Sequence, residues 1–276
     1  MNKLQKIALL AALCTTNQEI IPSSSSSSSA ALADSSLNAR PQLKPEEQRD
    51  LDSALLIAAA RGDITQATQL IGKGANVNSY DDLGRSPIVA AAINNYAEMI
   101  EILHAQGCDI DSLQYKNKAP LTHALNENSY QAALKLVKLG ANPHARDNQS
   151  LNNALHYNKN TELFDILLSK GVDVNARNIV GQTPLDTAIS INIGKLITHG
   201  ANVNEIDSKG DTKLHQAFVG LNWNNSYIEM IDILLDYDAD LEITNCKGEK
   251  PVNLLTNLDA RKEYEDYMAT RRIRIG

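Results

Sequence analysis

Histidine and cysteine are the side chains that could ligate a metal or act as a nucleophile in this chain of 276 residues. No two histidines stand at a spacing that would present both rings on one helix face, as a zinc site requires. No serine or cysteine is paired by position with an activating histidine, and the glycines are not clustered into a phosphate-binding loop. We therefore predict that the protein is not an enzyme and has no catalytic residue, metal or cofactor. The histidines are His104, His123, His144, His156, His199 and His215, and the cysteines are Cys14, Cys108 and Cys246.

The composition is that of a folded protein, with 43% hydrophobic and 21% charged residues. The formal net charge of -7 argues against binding to nucleic acid, which requires a basic surface. No apolar run reaches the roughly 18 residues that a membrane-spanning helix needs. Because aromatic residues make up only 4%, the core must be built mainly from Ala, Leu and Ile.

Residues 1–14 have the layout of a secretory signal peptide, with Lys3 and Lys6 before the apolar run that ends at Leu13. Cys14 follows Leu-Ala-Ala-Leu and resembles the lipidated cysteine of a bacterial lipoprotein, although Leu13 stands where that motif has a small residue. This reading predicts an exported or envelope protein that Cys14 could tether to a membrane. The alternative is an untargeted N-terminus, in which case the protein is cytoplasmic.

A serine-rich stretch separates this segment from the rest of the chain. It contains seven consecutive serines at residues 23–29, and polar low-complexity sequence cannot bury enough apolar surface to fold. We expect residues 15–43 to be a disordered linker.

The remainder, residues 44–276, repeats itself. Gly74, Gly107 and Gly140 are spaced by 33 residues, and each begins a similar pentapeptide such as Gly-Ala-Asn-Val-Asn at 74–78 and 200–204. A fixed period of this length indicates stacked structural repeats. The predicted repeats lie near 51–78, 79–111, 112–144, 145–175, 176–204, 205–242 and 243–270, the last with a C-terminal cap.

Each repeat carries the pattern of two short helices. Leu55, Ala58 and Ala59 share one helical face, and the same spacing recurs after Gly62, where a turn is needed. Gly74 follows the second helix, in the position where a left-handed cap favours glycine.

The repeat resembles the ankyrin repeat over residues 50–270. Thr183-Pro184-Leu185 and Thr212-Lys213-Leu214-His215 match parts of its Thr-Pro-Leu-His motif. The resemblance implies an all-α solenoid of stacked helix-turn-helix units joined by hairpin loops. It also implies that His215 makes a structural hydrogen bond to backbone and that the concave face and hairpin tips bind a protein.

Three repeats depart from the regular length. Counting from each capping position to an alanine in the next first helix gives 17 residues in most repeats but 14 between Gly140 and Ala154, which predicts a fourth hairpin shortened by three residues. The fifth repeat lacks about one helical turn, and the sixth has five extra residues near 220–226. Because a repeat contacts only its neighbours, we expect the array to be least stable at residues 188–195.

The binding residues are expected at the hairpin tips and in the inserted loop, where aromatic and apolar side chains supply the strongest contacts. A tyrosine that packs on its neighbouring hairpin, or a tryptophan that folds back onto the sixth repeat, would instead have a structural role. The candidates are Tyr80, Asp81, Asp82, Tyr115, Lys116, Ile179, Val180 and Trp223.

These observations favour a monomeric interaction module with a protein partner. The leader and the serine run resemble those of ankyrin proteins from host-associated bacteria, which engage host proteins. An envelope-tethered or periplasmic scaffold is a second hypothesis, and a regulatory subunit for an enzyme supplied in trans is a third.

Overall fold

The computed structural model describes residues 44–157 and 159–275, and the side chains as far as residue 270. The predicted signal-like segment 1–14, the predicted linker 15–43 and the candidate lipidation site Cys14 lie outside the described residues. Within the described part, α-helices are joined by hairpin loops, and extended pairing is limited to one isolated bridge between Ile206 and Thr212. The predicted all-α class is therefore confirmed.

The helices follow one another in pairs. They are α1 Pro45–Arg61, α2 Ile64–Gly72, α3 Pro87–Ile93, α4 Ala97–Ala105, α5 Pro120–Asn126, α6 Tyr130–Lys138, α7 Ala154–Tyr157, α8 Thr161–Ser169, α9 Pro184–Thr187, α10 Ser190–Thr198, α11 Lys213–Leu221, α12 Tyr227–Asp236, a 3-10 helix Pro251–Leu254 and α13 Leu258–Ile275.

The first helix of the array is longer than a repeat requires. α1 has 17 residues and begins at Pro45, and the Glu47 carboxylate accepts the main-chain N–H of Lys44. The Nε2 group of Gln48 donates to Gly74 O, so the added turns lie against the first repeat. The N-terminal extension and the first helix of the first repeat are thus one continuous helix.

Each second helix from α2 to α10 is followed, two residues after its last residue, by a glycine in the left-handed region, where a side chain would strain the backbone. The glycines and their φ angles are Gly74 (102°), Gly107 (81°), Gly140 (100°), Gly171 (72°) and Gly200 (95°). The sixth repeat has Asp238 at this position with φ 60°, so the backbone shape is kept without the glycine.

The asparagine or aspartate that closes four of the five glycine-led pentapeptides links one repeat to the next; the pentapeptide at 140–144 ends in His144 instead. The Asn78 Oδ1 atom accepts the N–H of Asp109 at 2.7 Å, and the Asn78 Nδ2 group donates to Gly107 O. Asn204 makes the same two bonds to Asp240 N and Asp238 O. The recurring side chain therefore satisfies backbone groups at a helix end.

The core is continuous along the stack and consists mainly of Leu and Ala, with smaller contributions from Val and Ile. Both phenylalanines are fully buried, Phe164 in the fourth repeat and Phe218 in the sixth. The C-terminal helix α13 covers the sixth repeat through Tyr264. The ring of Tyr264 contacts Phe218 edge-on, with 5.0 Å between the ring centroids.

Buried histidines join first helices to the hairpins that follow them. His215 pairs through Nδ1 with Thr212, and its Nε2 donates to Glu249 O over 3.1 Å, which confirms the predicted structural role. His156 makes equivalent bonds: its Nδ1 atom accepts the main-chain N–H of Asn153, and its Nε2 donates to Gln182 O. Burial lowers the pKa of His156 below its ordinary value, which agrees with a neutral ring that donates from Nε2.

The prediction of a shortened fourth hairpin is wrong. His156 and His215 occupy equivalent positions, so Ala154 is the first residue of its helix and not the alanine one turn further on. The hairpin is closed by a hydrogen bond from Asp147 N to Asn152 O. This bond spans one residue more than the equivalent bond from Asp81 N to Arg85 O. The missing residues belong to α7, which has four residues where α3 has seven.

The fifth and sixth repeats depart from regular length as the sequence predicts. α9 also has four residues and ends where Ala188 turns extended, at φ -67° and ψ 144°. α11 has nine residues, and the loop after it is held by Asn222, which donates to Leu254 O and accepts from the N–H groups of Thr256 and Asn257.

A buried ion pair joins the third and fourth hairpins. The Lys118 Nζ atom lies 2.7 Å from Asp147 Oδ2, which also accepts the hydroxyl of Tyr157 at 2.7 Å. Burial alone would raise the pKa of the Asp147 carboxyl, but the bonds from Lys118 and Tyr157 hold that pKa far below its ordinary value. The carboxylate is therefore ionised at neutral pH.

Replacing Asp147 with Asn will leave the Lys118 charge buried without a partner. We expect the free energy of unfolding in urea, followed by circular dichroism, to fall by about 3–5 kcal/mol. Because the folded pKa is depressed, the Asp147 contribution is present above about pH 4 and is lost as the pH falls further.

The matched control is Glu162→Gln, which breaks an exposed pair with Lys138 at 2.9 Å. We expect this change to cost less than about 1 kcal/mol. Equal losses for the two variants would contradict a dominant role for the buried pair.

The fifth repeat has a second source of weakness besides its short first helix. Asn192 is fully buried in α10, and neither polar atom of its side chain has a hydrogen-bond partner among the described residues. We expect residues 188–195 to exchange amide hydrogens faster than residues 97–105 in native-state exchange measured by mass spectrometry. Stronger protection at 188–195 than at 97–105 would refute this expectation.

Candidate functional site

The hairpin loops form one row along the edge of the stack. Most of the loops are closed by a side chain that caps their own turn: the Asp81 Oδ1 atom accepts the N–H groups of Leu83 and Arg85. Neighbouring loops also bond to one another, as Ile179 N does to Ser150 O at 2.8 Å. The loops therefore present their tips from a backbone that is fixed before any partner arrives. The equivalent capping residues are Asn178, Asp207 and Asn245.

At the N-terminal end of this row, the hairpin of the second repeat lies beside α1. The Tyr80 ring is 63% exposed and, with Ile57 and Arg49 of α1, lines a groove of about 620 Å³. Asp82 is exposed at the same groove. Tyr80 and Asp82 are thus free to contact a partner.

Asp81 lines the groove but supports the hairpin. Burial alone would raise the pKa of its carboxyl, but the Arg85 guanidinium and the main-chain donors of Arg85 and Leu83 hold that pKa below its ordinary value. The Arg85 Nη2 atom lies 2.7 Å from Asp81 Oδ2. The capping bonds give this carboxylate a structural role.

Tyr115 packs against α5, the helix that follows its hairpin. Its ring stacks on His123 with centroids 4.8 Å apart, and its carbonyl accepts the His123 Nε2 hydrogen at 3.1 Å. Burial lowers the pKa of His123, and Lys118 and Lys116 lower it further, so the stacked imidazole is neutral near pH 7. Lys116 is exposed, with its Nζ atom 5.0 Å from the centroid of the Tyr115 ring.

The fifth hairpin carries apolar side chains that point away from the core. Ile179 is 66% exposed and Val180 is 51% exposed. The neighbouring hairpins add Leu151 and Ile206, which are also exposed and which the sequence analysis missed. Leu151 lies in the fourth hairpin, which the spacing predicted to be shorter. Ile206 lies just before the tip of its loop.

Trp223 lies apart from the hairpin row. It is 88% exposed and follows α11, whose first residue comes directly after the sixth hairpin. The nine residues of α11 span about 13 Å, so the indole stands at the other end of that helix. The structure does not bring Trp223 together with the other candidates.

The described residues contain no group of three histidine, cysteine or acidic side chains placed to hold a metal. Cys108 is buried, and burial, followed by the nearby Asp109 charge, raises the pKa of its thiol to about 12. Cys246 is exposed on the last hairpin. No helix in the described part of the chain is long and apolar enough to cross a membrane.

Comparison with known proteins gives a consistent family assignment. The sequence model for ankyrin repeats (3 copies) matches residues 55–147 and 151–245. The chain is similar to the ankyrin repeat domain of human ASB11, with a TM-score of 0.65 and 25% identity over 76% of this chain and 95% of that one. The ankyrin repeat domain of Bcl-3 has the same fold, with a TM-score of 0.60 and 24% identity over 76% of this chain and 97% of that one. These matches confirm the predicted ankyrin-repeat solenoid.

Among curated proteins, the chain is 27% identical over 231 residues to a putative palmitoyltransferase, ZDHHC13, of Danio rerio, which covers 80% of this chain. It is 31% identical over 176 residues to a putative ankyrin repeat protein, FPV031, of fowlpox virus, which covers 60% of this chain. The chain spans 35% of the first relative and 51% of the second.

We expect the two tyrosine candidates to differ in how much stability is lost when each is replaced by Ala. Tyr115→Ala removes a stacked and half-buried ring, and we expect it to lower the free energy of unfolding by about 1–2 kcal/mol. Tyr80→Ala removes an exposed ring and serves as the matched control, with a change within about 0.5 kcal/mol. Urea denaturation measures both, and a larger loss for Tyr80→Ala would overturn the assignment.

Proposed function

Because the chain belongs to the ankyrin repeat family, we propose that it is an interaction module that binds a protein partner through the tips of its hairpin row. Ankyrin repeats generally mediate protein–protein interaction, and this fold is typically non-catalytic. The proposed binding surface, called the tip surface below, consists of Tyr80, Asp82, Ile179 and Val180 together with Leu151 and Ile206.

The observation that carries this proposal is the exposure of Ile179 and Val180 on a loop that is otherwise fully organised. Asn178 Oδ1 accepts the N–H groups of Val180 and Gln182, and Ile179 N donates to the neighbouring hairpin. The loop therefore needs neither apolar side chain to hold its shape. Binding through a fixed loop costs little conformational entropy, and apolar side chains at such a site gain free energy when a partner covers them.

Tyr80 extends the same surface toward the N-terminal end of the array. The groove beside it is lined by Leu56 and Ile57 and by charged side chains that include Arg49 and Asp82. Protein interfaces combine apolar contacts with polar and charged ones in this way. Tyr115 and Asp81 support this surface without belonging to it, and Trp223 lies outside it.

The name of the Danio rerio relative gives no reason to assign palmitoyl transfer to this chain, which spans about a third of that protein. We infer an exported or envelope location from the signal-like pattern of residues 1–14 alone. With that location, the partner would be sought in the envelope or in a host, and a scaffold tethered through Cys14 would use the same tip surface.

Site-specific photo-cross-linking tests the tip surface. A benzophenone amino acid replaces Ile179 in one variant and Ile191 in another; the two side chains belong to the same repeat and are 66% and 59% exposed. Ile191 lies on α10 and serves as the matched control. We expect a discrete adduct in extracts of the source cell from position 179 and none from position 191.

The cross-linked protein, identified by mass spectrometry and purified, then allows Kd to be measured. We expect Ile179→Asp to weaken binding at least about tenfold, or about 1.4 kcal/mol, and Ile191→Asp to leave it unchanged. Adducts from position 191 alone, or loss of binding in Ile191→Asp alone, would place the interface on the second helices and overturn the proposal.

A further inference from the structure

A second site lies away from the tip surface, where two successive first helices are short. α7 and α9 each have four residues, whereas α11 in the following repeat has nine. The missing turns leave a cavity of about 490 Å³ bounded by the end of α9, by α11, by the start of α12 and by Lys159 in the turn after α7. Its volume is in the range of small-molecule sites.

A buried lysine forms part of the cavity wall. Lys213 is the first residue of α11, a position held by proline in α3, α5 and α9, and its side chain is 6% exposed. The Nζ atom donates to the main-chain oxygen of Asp186 at 2.6 Å. An ammonium group has three hydrogens to donate, and this contact uses one of them.

The carboxylate beside Lys213 already has hydrogen-bond donors of its own. Asp186 Oδ2 accepts from the main-chain N–H and the hydroxyl of Thr183, and Oδ1 accepts from Gln216 Nε2 at 3.3 Å. The Asp186 side chain is thus held as the cap of α9. It lowers the net positive charge of the cavity without occupying the remaining donors of Lys213.

One helix N-terminus adds to the positive potential. Ser190 begins α10, whose N-cap residue Ile189 has no side-chain acceptor, and both residues line the cavity. Ser226, the N-cap of α12, also lines the cavity, but the main-chain N–H groups of Tyr227 and Ile228 at that helix start already donate to Asn224 O and Asn225 O. The N–H groups at the start of α10 therefore favour an anion.

The charged and apolar residues that line the cavity indicate which kind of ligand it can bind. Lys159 and Lys213 against Asp186 give a net charge of one positive unit among the Lys, Arg, Asp and Glu side chains that line the cavity. A single negative charge balances that site better than a dianion such as phosphate would. Ala217, Tyr227 and Met230 complete the wall and provide apolar contacts.

We propose that this cavity binds a single carboxylate attached to a short apolar body, with the carboxylate on Lys213 and the N-terminus of α10. The carboxylate belongs either to a free small acid or to the C-terminus of a peptide. Burial lowers the pKa of Lys213 to about 8, so the amine is still mostly protonated at pH 7.

Calorimetric titration of the folded protein with hexanoate tests the site, with hexanamide as its uncharged match. We expect saturable binding of hexanoate and at least tenfold weaker binding of hexanamide. The peptide acetyl-Ala-Leu with a free C-terminus, against its C-terminal amide, identifies the source. Tighter binding of the free-acid peptide than of hexanoate favours a protein terminus, and the reverse order favours a small acid.

Lys213→Met should weaken hexanoate binding at least tenfold. Lys195→Gln is the matched control because Lys195 lies on α10 of the fifth repeat and pairs with Asp165 outside the cavity, so binding should be unchanged. If Lys213→Met does not fold, a carbon-13 titration of the wild-type protein still tests the site. A bound carboxylate must raise the pKa of the Lys213 amine above about 8.

Equal binding of hexanoate and hexanamide, an unchanged Lys213 pKa, or the absence of binding by every carboxylate probe would overturn the proposal. The tip-surface variant Ile179→Asp should bind hexanoate normally. Failure of the carboxylate site and failure of the proposed partner surface are therefore separate results.

Discussion

Every part of this molecule depends on one constraint: a repeat can bury its apolar side chains only against the repeats directly before and after it. The core is a continuous line of small aliphatic side chains, and the two phenylalanines fill the fourth and sixth repeats, whose lengths are irregular. At the C-terminal end of the described stack, α13 supplies Tyr264 to cover Phe218. The stack continues only while each interface keeps its shape.

Polar side chains fix the geometry that apolar packing leaves undetermined. Asn78 and Asn204 carry hydrogen bonds from one repeat to the next, and His156 and His215 join a first helix to the following hairpin. The Lys118–Asp147 pair does the same between the third and fourth hairpins. These contacts order the loop backbone, so the side chains at the loop tips remain available for recognition.

The fold could be predicted from the sequence because its strongest signals are local. Glycine at each second-helix terminus and apolar residues at helical spacing recur with a regular period, and both follow from backbone geometry. The fourth repeat was misread because one alanine resembles another in a helix of only four residues; the equivalence of His156 and His215 became visible only in three dimensions. Likewise, Tyr80 and Tyr115 look alike in sequence, and only the stacking on His123 separates a free ring from a structural one.

The fifth repeat also determines how far the two ends of the array can influence each other. In a stack with nearest-neighbour contacts, cooperativity is transmitted through each interface in turn, and a weak interface divides the chain into blocks that respond separately. The fifth repeat has a four-residue α9, and the Asn192 side chain has no hydrogen-bond partner among the described residues, so we expect this repeat to be such a boundary between the N-terminal repeats and the sixth. A partner that contacts both Tyr80 and Ile206 would bridge the two blocks, and part of its binding free energy would appear as coupling between them.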